Sequence, residues 1–298
     1  LYDADNDDQL DSKETIPSTT GGGEHGNHAV LTAEDGKAIY MIGGNAAPLA
    51  DSARNTVPTW YEGQLLPRMA DAKGHARGRM APGGWIARLD PTSHEQTVVS
   101  IGYRNQYDIT LNRQGDLFTY DADMEWDMGL PWYRPTRICL AVSGSDYGWR
   151  NGSGKWPSYF EDTLPPVVEL GPGSPTGLLS GQGASFPTKY QDAIFALDWT
   201  FGTIYAIHLI PAGAGYQGKA EPFVYGSPLP LTDAVIGKDG HMYFAVGGRG
   251  MASGLFRVRY VGSDSRETPD TQDDVAAAAR RQRQNLAAFH GVKDEAAI

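Results

Sequence analysis

A strand–turn–strand unit recurs three times along the chain and constrains its fold more than any other feature. The copies read HAVLTAEDGKAIYMIGG from His28, YDITLNRQGDLFTYDA from Tyr107 and TDAVIGKDGHMYFAVGG from Thr232. Each has an apolar-alternating run, a turn with Asp-Gly or Gln-Gly, and a second apolar run. This pattern is typical of a β-hairpin because the glycine supplies positive φ. Recurring hairpins predict an all-β fold, and favour a β-propeller of four-stranded blades over a sandwich.

Further strand pairs fill the intervals between these units. They are GWIARLD with TVVSIGY, DAIFALDWT with GTIYAIHL, and AVGGRG leading to GLFRVRYV. About four blades and part of another are therefore expected in this chain. Residues 46–84 are too long and irregular for a hairpin loop, which is typical of a functional or mobile segment.

The end of the chain departs from the strand pattern. After Gly262 a polar linker precedes DVAAAARRQRQNLAAF, which predicts a helix that ends at Gly291. We therefore predict a β-propeller domain over residues 1–262, incomplete at its N-terminus. Residues 263–298 would form a linker and the start of a helical domain, a C-terminal helical extension of the propeller.

Composition excludes several classes of function. With 36 acidic and 25 basic residues the net charge is −11, which argues against nucleic acid as the main partner. The single Cys139 excludes an internal disulfide, a cysteine-based zinc site and a CxxCH haem site within this chain. No apolar run is long enough to span a membrane. The chain starts at Leu1 without a signal peptide, so we expect it to be part of a longer protein.

An acidic run follows the second hairpin unit, in YDADMEWDMG from Tyr120. Its carboxylates at alternate positions are Asp121, Asp123, Glu125 and Asp127. If the strand continues, they share one face, and such crowded charges need a neutralising partner. Hard oxygen ligands suit Ca²⁺ or Mg²⁺. Arg134 and Arg137, a few residues on, could neutralise them without a metal, and a solvated acidic rim is the third alternative.

A second acidic stretch, DADNDDQLDSKE from Asp3, has the spacing of a calcium loop. The ligand positions 1, 3, 5 and 12 of an EF-hand loop correspond to Asp3, Asp5, Asp7 and Glu14. Asp8 stands at the position of the turn glycine, and no flanking helices are evident. We predict a calcium-binding loop between blades, with an acidic surface turn as the alternative.

Longer motifs resemble a known family. SIGYRNQYDITLNRQGDLFTYD followed by VSGSDYGWRNGSGKWPSY resembles the soluble quinoprotein glucose/sorbosone dehydrogenases. GGGEHGNHAVL, YDADMEWDMGLPWYRPTR and GPGSPTG are similar to the large L-sorbosone dehydrogenase-like proteins of planctomycete-type bacteria. The resemblance covers about residues 1–262. It implies a six-bladed propeller, a carbohydrate or alcohol substrate, pyrroloquinoline quinone (PQQ) with Ca²⁺, a periplasmic or extracellular location, and an electron-accepting c-type haem domain outside this chain.

The resemblance also implies roles for individual residues. His25 matches the general base, with His28 as the fallback, and a histidine suits this proton transfer. Arg104 would stabilise negative charge on the cofactor or substrate. The candidate cofactor-binding residues are Asn105, Arg134, Arg137, Trp149 and Arg249. The aromatic residues that would line the mouth are Trp126, Trp132, Tyr133, Trp149 and Trp156. The quinone-site calcium would lie in the loop that contains Asp121.

Two departures from the family pattern bear on function. The family aspartate that orients the histidine is absent, and Gly44 or Asn45 stands in its place. The basic residues that hold the quinone carboxylates are replaced by Thr200, Pro230 and Thr232. An anionic cofactor without these partners binds more weakly. We therefore expect a sugar or alcohol dehydrogenase-like oxidoreductase that passes hydride to PQQ. The alternative is a non-catalytic carbohydrate-binding propeller that has lost the quinone site.

Overall fold

The computed structural model describes most of the chain. The described residues are 3, 5, 7–13, 21–33, 35–49, 54–55, 57, 79, 81–124, 133–150, 154–155, 159, 161, 163–267 and 274–289. The strands are β1 (Asn27–Thr32), β2 (Ile39–Gly43), β3 (Arg54–Asn55), β4 (Gly84–Leu89), β5 (Gln96–Tyr103), β6 (Ile109–Leu111), β7 (Leu117–Asp121), β8 (Thr136–Leu140), β9 (Ser145–Asp146), β10 (Trp149–Arg150), β11 (Gly154–Lys155), β12 (Val168–Gly171), β13 (Pro175–Ser180), β14 (Ile194–Asp198), β15 (Thr203–Ala212), β16 (Gly215–Tyr225), β17 (Leu231–Ile236), β18 (Met242–Gly248) and β19 (Met251–Val258). The helices are α1 (Thr188–Gln191) and α2 (Asp274–Ala287).

Successive strands form four main antiparallel sheets. Their strand orders are β1-β2-β4-β5, β6-β7-β8-β12, β13-β14-β15-β16 and β17-β18-β19. The short strands β3 and β9 pair with β5 in parallel, and β10 pairs with β11. All six hairpin pairs predicted from the sequence are confirmed. In the three recurring units the turn glycines Gly36, Gly115 and Gly240 have φ of 68°, 78° and 76°, a region that only glycine enters without strain.

The sheets pack face to face around their first strands. Strand β6 contacts both β1 and β13, and β13 contacts β17, so the first strands of the four sheets are neighbours. Buried side chains fill each space between sheets, such as Ile86 with Leu117, Ile138 with Ile194, and Phe195 with Phe244. Burial of aliphatic and aromatic side chains on both faces of the inner sheets is the main stabilising contribution to this arrangement. It is the radial stacking of a β-propeller.

Helix α2 packs across the hairpin turns of the second and third sheets. Arg283 Nη2 donates to Asp116 Oδ1 at 2.6 Å, and its Nε donates to the Ala214 carbonyl at 2.8 Å. The Arg280 guanidinium lies over the Tyr216 ring. The helix therefore docks through arginines, and it ends at Ala287 with a turn to Phe289, whereas Gly291 lies outside the described residues. Within the described part of the chain, no helix is long and apolar enough to cross a membrane.

Candidate active site

The loops ahead of β1 and β6 and the turn between β18 and β19 meet at one end of the molecule, opposite α2. The side-chain amide of Asn105, ahead of β6, donates to the Glu24 carbonyl, ahead of β1, at 3.2 Å. Glu24 in turn forms an ion pair with Arg249, between β18 and β19. The candidate site residues His25, Arg104, Asn105 and Arg249 are therefore brought together although they lie far apart in the sequence.

His25 is held by an amide. Its Nδ1 lies 2.7 Å from Asn45 Oδ1, and both side chains are buried. The Asn45 backbone N–H donates to the Arg104 carbonyl at 2.9 Å, which places this pair beside the Arg104–Asn105 turn. A side chain at Gly44 is excluded, because its Cβ would lie 2.3 Å from Asn105 Oδ1 and 2.7 Å from the His25 carbonyl oxygen. Of the two residues that stand in place of the family aspartate, Asn45 is therefore the one that contacts His25, through an amide and not a carboxylate.

His28 makes different contacts. Its Nε2 lies 2.7 Å from Asn105 Oδ1, and its ring stacks on Tyr107 at 4.6 Å between centroids. Because the Asn105 amide nitrogen donates to Glu24, the oxygen faces His28, so His28 carries its proton on Nε2. Burial lowers the pKa of His28, and its hydrogen bond to Asn105 opposes this shift. This geometry favours His25 over His28 as the candidate base.

The buried carboxylate of Asp121 is neutralised by Arg137. Arg137 Nε and Nη2 both donate to Asp121 Oδ2, at 3.1 Å and 3.0 Å. The other oxygen, Oδ1, accepts from the backbone N–H groups of Arg104 and Asn105, each at 3.0 Å. Each oxygen thus already accepts two hydrogen bonds, so Ca²⁺ would have to displace a bond to coordinate here. At Asp121 the geometry favours the arginine alternative.

The rest of the acidic run leaves the strand pattern. Strand β7 ends at Asp121, and Asp123 is buried beyond the strand end. Met124 and Arg134 form a backbone bridge, with N···O distances of 2.8 Å and 2.7 Å in the two directions. The predicted residues Glu125, Trp126, Asp127, Trp132 and Trp156 lie outside the described residues. Tyr133, next to the bridge, is exposed.

Trp149 lies under this loop and not on its surface. It is fully buried, and its indole Nε1 lies 3.0 Å from Met124 Sδ. The resemblance implied that Trp149 contacts the cofactor or the sugar. Because the ring has no exposed surface, it offers no face to a ligand. It packs against Met124 and supports the loop.

Arg249 lies on the rim of the site. It pairs with Glu24, and its guanidinium lies over the Trp199 ring, 5.7 Å from the centroid. The Trp199 indole N–H is held by the Gly247 carbonyl at 2.8 Å. Arg249 has a φ of 49°, a left-handed backbone conformation that is rare outside glycine. Trp199 was missed from the sequence, although its neighbour Thr200 stands where the resemblance implies a residue that holds the quinone.

A further titratable residue, Asp108, was also missed. It precedes β6, and its carboxylate accepts from the backbone N–H groups of Ile109 and Leu178 at 2.8 Å and 2.7 Å. Burial raises the pKa of Asp108 to about 7, the charge of Asp233 adds to the rise, and the two hydrogen bonds oppose it. Asp108 therefore changes charge near neutral pH.

The N-terminal acidic loop is partly as predicted. Carboxylate oxygens of Asp3, Asp5 and Asp11 lie within 4.8 Å of one another. Asp8 has a φ of 65° at the position of the turn glycine in an EF-hand loop. The Asp7 carboxylate accepts from the backbone and side chain of Gln9 and is not in this group, and Glu14 lies outside the described residues. Asp11 was missed, although position 9 of such loops often contributes a ligand through water.

The donors at this end suit an oxygen-rich anion. The Asn45 side-chain nitrogen is buried without a hydrogen-bond partner among the described residues. Arg249 presents a guanidinium that is 70% exposed on the same rim. The Arg104 side chain is mostly buried. The exposed guanidinium of Arg249 fits a carboxylate oxygen of PQQ.

Comparison with known proteins supports a relationship at the level of the fold. No protein-family model matches the chain, and no curated protein matches it. Among solved structures, a Thermus thermophilus protein provisionally described as an oxidoreductase (glucose dehydrogenase) is 19% identical, with a TM-score of 0.55 over 82% of this chain and 68% of that one. A second glucose dehydrogenase is 15% identical, with a TM-score of 0.58 over 87% and 71%.

A third solved structure was determined with a cofactor. The PQQ-bound aldose sugar dehydrogenase of Streptomyces coelicolor is 15% identical, with a TM-score of 0.52 over 79% of this chain and 63% of that one. The chain thus spans roughly two thirds of the length of these proteins. The resemblance predicted from the sequence is confirmed in the fold, which this chain shares with the glucose and aldose sugar dehydrogenases.

Proposed function

We propose that this chain is a sugar dehydrogenase-like oxidoreductase that passes hydride from a carbinol carbon of a carbohydrate or alcohol to PQQ. The observation that carries this proposal is the His25–Asn45 pair, at 2.7 Å, hydrogen-bonded to the Arg104–Asn105 turn where the loops meet. A histidine whose Nδ1 proton is donated to an amide oxygen can accept a proton at Nε2. The shared fold supports the same class of reaction.

The residues of the site have different roles in the proposed reaction. His25 accepts the hydroxyl proton at Nε2 while the carbon loses hydride. Arg104, beside it, stabilises the developing negative charge. Arg249 and Asn105 are the residues that would hold the cofactor. When bound, PQQ supplies a two-electron acceptor for the hydride.

Reconstitution tests the proposal. Purified protein with Ca²⁺ and PQQ should reduce an artificial dye when an aldose is added. His25→Gln should lower kcat about 100-fold or more, the range expected when a general base is lost. His208→Gln is the matched control, since His208 lies on β15, the third strand of its sheet, and pairs with Glu221 at 2.8 Å.

A titration with the quinone separates the two functions inferred from the sequence. If PQQ does not bind at high micromolar concentration and the protein still binds carbohydrate, the dehydrogenase proposal is wrong. The non-catalytic carbohydrate-binding propeller would then be the better description.

We also propose the number of blades, the domain boundary, the electron acceptor and the location of the protein. We assign the four sheets to four blades of a six-bladed ring, supported by the neighbouring first strands. The boundary near residue 262 is supported by the end of β19 at Val258 and the start of α2 at Asp274. The electron-accepting c-type haem domain outside this chain and the periplasmic or extracellular location are supported by the sequence resemblance alone.

Calcium is proposed at the N-terminal loop, where the carboxylates of Asp3, Asp5 and Asp11 approach one another. These are hard oxygen ligands of the type that Ca²⁺ prefers. Calcium at Asp121, Asp123 and Glu125 stays the rival of the Arg137 pair. The two sites are distinguished by the rise in melting temperature that calcium causes in the Asp5→Asn and Asp123→Asn variants. The variant whose calcium site is disrupted should lose this rise, because a ligand stabilises the fold only where its site is intact.

A further inference from the structure

The partner of His25 is the neutral side-chain amide of Asn45. A carboxylate at this place would give the histidine a counter-charge. The position before Asn45 is closed to any side chain, because a Cβ on Gly44 would lie 2.3 Å from Asn105 Oδ1. Asn45 is therefore the residue placed to contact Nδ1 of His25, at 2.7 Å. Since the Asn45 amide nitrogen has no partner among the described residues, the side chain is held by its oxygen.

We infer that Asn45 is a positioning residue that fixes His25 as the Nδ1–H tautomer, so that Nε2 accepts the substrate proton, without placing a negative charge behind the ring. An amide oxygen accepts a hydrogen bond and cannot take the proton, so the Nδ1 proton stays on the ring. The inference rests on the proposed function for the role of Nε2. The tautomer itself does not depend on turnover.

The neutral partner has a consequence for pH. A carboxylate within about 4 Å would raise the pKa of a histidine by roughly one to three units through charge attraction. Among the described residues, the charged and titratable side chains of the surrounding loops and their contacts include Glu24, His28, Arg104, Tyr107, Asp121, Asp123, Arg137 and Arg249. All of them are unchanged in an Asn45→Asp variant, so the difference between the two proteins isolates the effect of the new charge. The Asn45 amide places no negative charge behind the ring, so this attraction is absent in the wild-type protein.

The test is a nitrogen-15 NMR spectrum of the histidine rings of the whole protein, which distinguishes the two neutral tautomers without substrate or cofactor. We expect Nδ1–H for His25. His28 is the internal control, expected as Nε2–H because its Nε2 faces Asn105 Oδ1. An Nε2–H tautomer at His25 would overturn the inference. This measurement needs no variant, so a misfolded mutant cannot obscure it.

Two variants extend the test to the reaction. Asn45→Asp should raise the pKa of His25 by about one unit or more and move the acid limb of the pH–rate profile in the same direction. Asn45→Ala should lower kcat by about 100-fold with little change in KM, as misplacement of a catalytic group does. A pKa unchanged in Asn45→Asp would contradict the inference. If the spectra agree but no sugar is oxidised, the positioning stands and the proposed function fails.

Discussion

Removing the Arg137 guanidinium should destabilise the protein strongly and disturb the active-site turn. Its side chain is 5% exposed and that of Asp121 is fully buried, with Nη2–Oδ2 at 3.0 Å. An Arg137→Met variant keeps the apolar bulk but leaves the Asp121 charge without this partner. Breaking a buried pair on one side costs about 3–5 kcal/mol. This is a large fraction of the roughly 5–15 kcal/mol that is typical of a folded domain.

A double-mutant cycle separates the pair from its surroundings. In Asp121→Asn/Arg137→Met neither charge is buried, so the double variant should be more stable than Arg137→Met, with a coupling of about 1–3 kcal/mol. Urea unfolding at constant m-value measures each free energy. Arg113→Met is the matched control, because Arg113 pairs with Asp192 at 2.6 Å but both side chains are about one quarter exposed, at 26% and 23%. Its loss should cost about 1 kcal/mol or less.

Two results would refute this reasoning. A cost below about 1 kcal/mol for Arg137→Met would show that Asp121 does not depend on the guanidinium. A wild-type stabilisation by millimolar calcium that disappears in Asp121→Asn would show that a metal ion is the true partner. The rival calcium assignment would then be correct, and the Arg104–Asn105 turn would be held by metal ligation.

Three further predictions concern other parts of the molecule. Because the pKa of Asp108 rises from 3.8 to about 7 on folding, its stabilising contribution is full below pH 3.8 and is lost as pH rises to 7. Asp108→Asn should remove about 2–4 kcal/mol of this pH dependence, measured by urea unfolding at several pH values, and an unchanged pH slope would contradict it. Gly44→Ala should lower stability by about 1–3 kcal/mol, seen in a thermal scan, since its Cβ would overlap Asn105, and an unchanged melting temperature would show that the turn can relax. Arg283→Met should remove the ion pair of α2 with Asp116, leaving the Gln284 hydrogen bond to it, and increase amide hydrogen exchange in residues 274–287. Retained protection would mean that the other contacts hold the helix.

Local chemistry explains what could be predicted from the sequence. The hairpins follow from alternation and a turn glycine within one short segment, so Gly36, Gly115 and Gly240 could be placed in turns without knowledge of the rest of the chain. The same holds for the N-terminal loop, where spacing alone suggested a calcium-type turn. The α2 helix could be placed because an alanine-rich run has a strong helix propensity.

Contacts between distant segments explain what could not be predicted. Glu24 and Arg249 are 225 residues apart, and no local pattern links them. The selection of Asn45 over Gly44 depends on where Asn105 lies, which only the packed sheets determine. Burial accounts for two further differences between prediction and structure. Trp149 was predicted to contact a ligand but is fully buried. The pKa of Asp108 is raised because neighbouring strands bury it.

The docking of α2 implies an order of folding events. Its arginine Arg283 binds Asp116, which lies 167 residues earlier, and the carbonyl of Ala214, 69 residues earlier. Both acceptors lie at hairpin turns, so they are in position only after the second and third sheets have formed and stacked. Contacts of such long sequence separation form late because the loop entropy must be overcome first. The helix therefore docks after the second and third sheets have formed, and its docking reports their assembly.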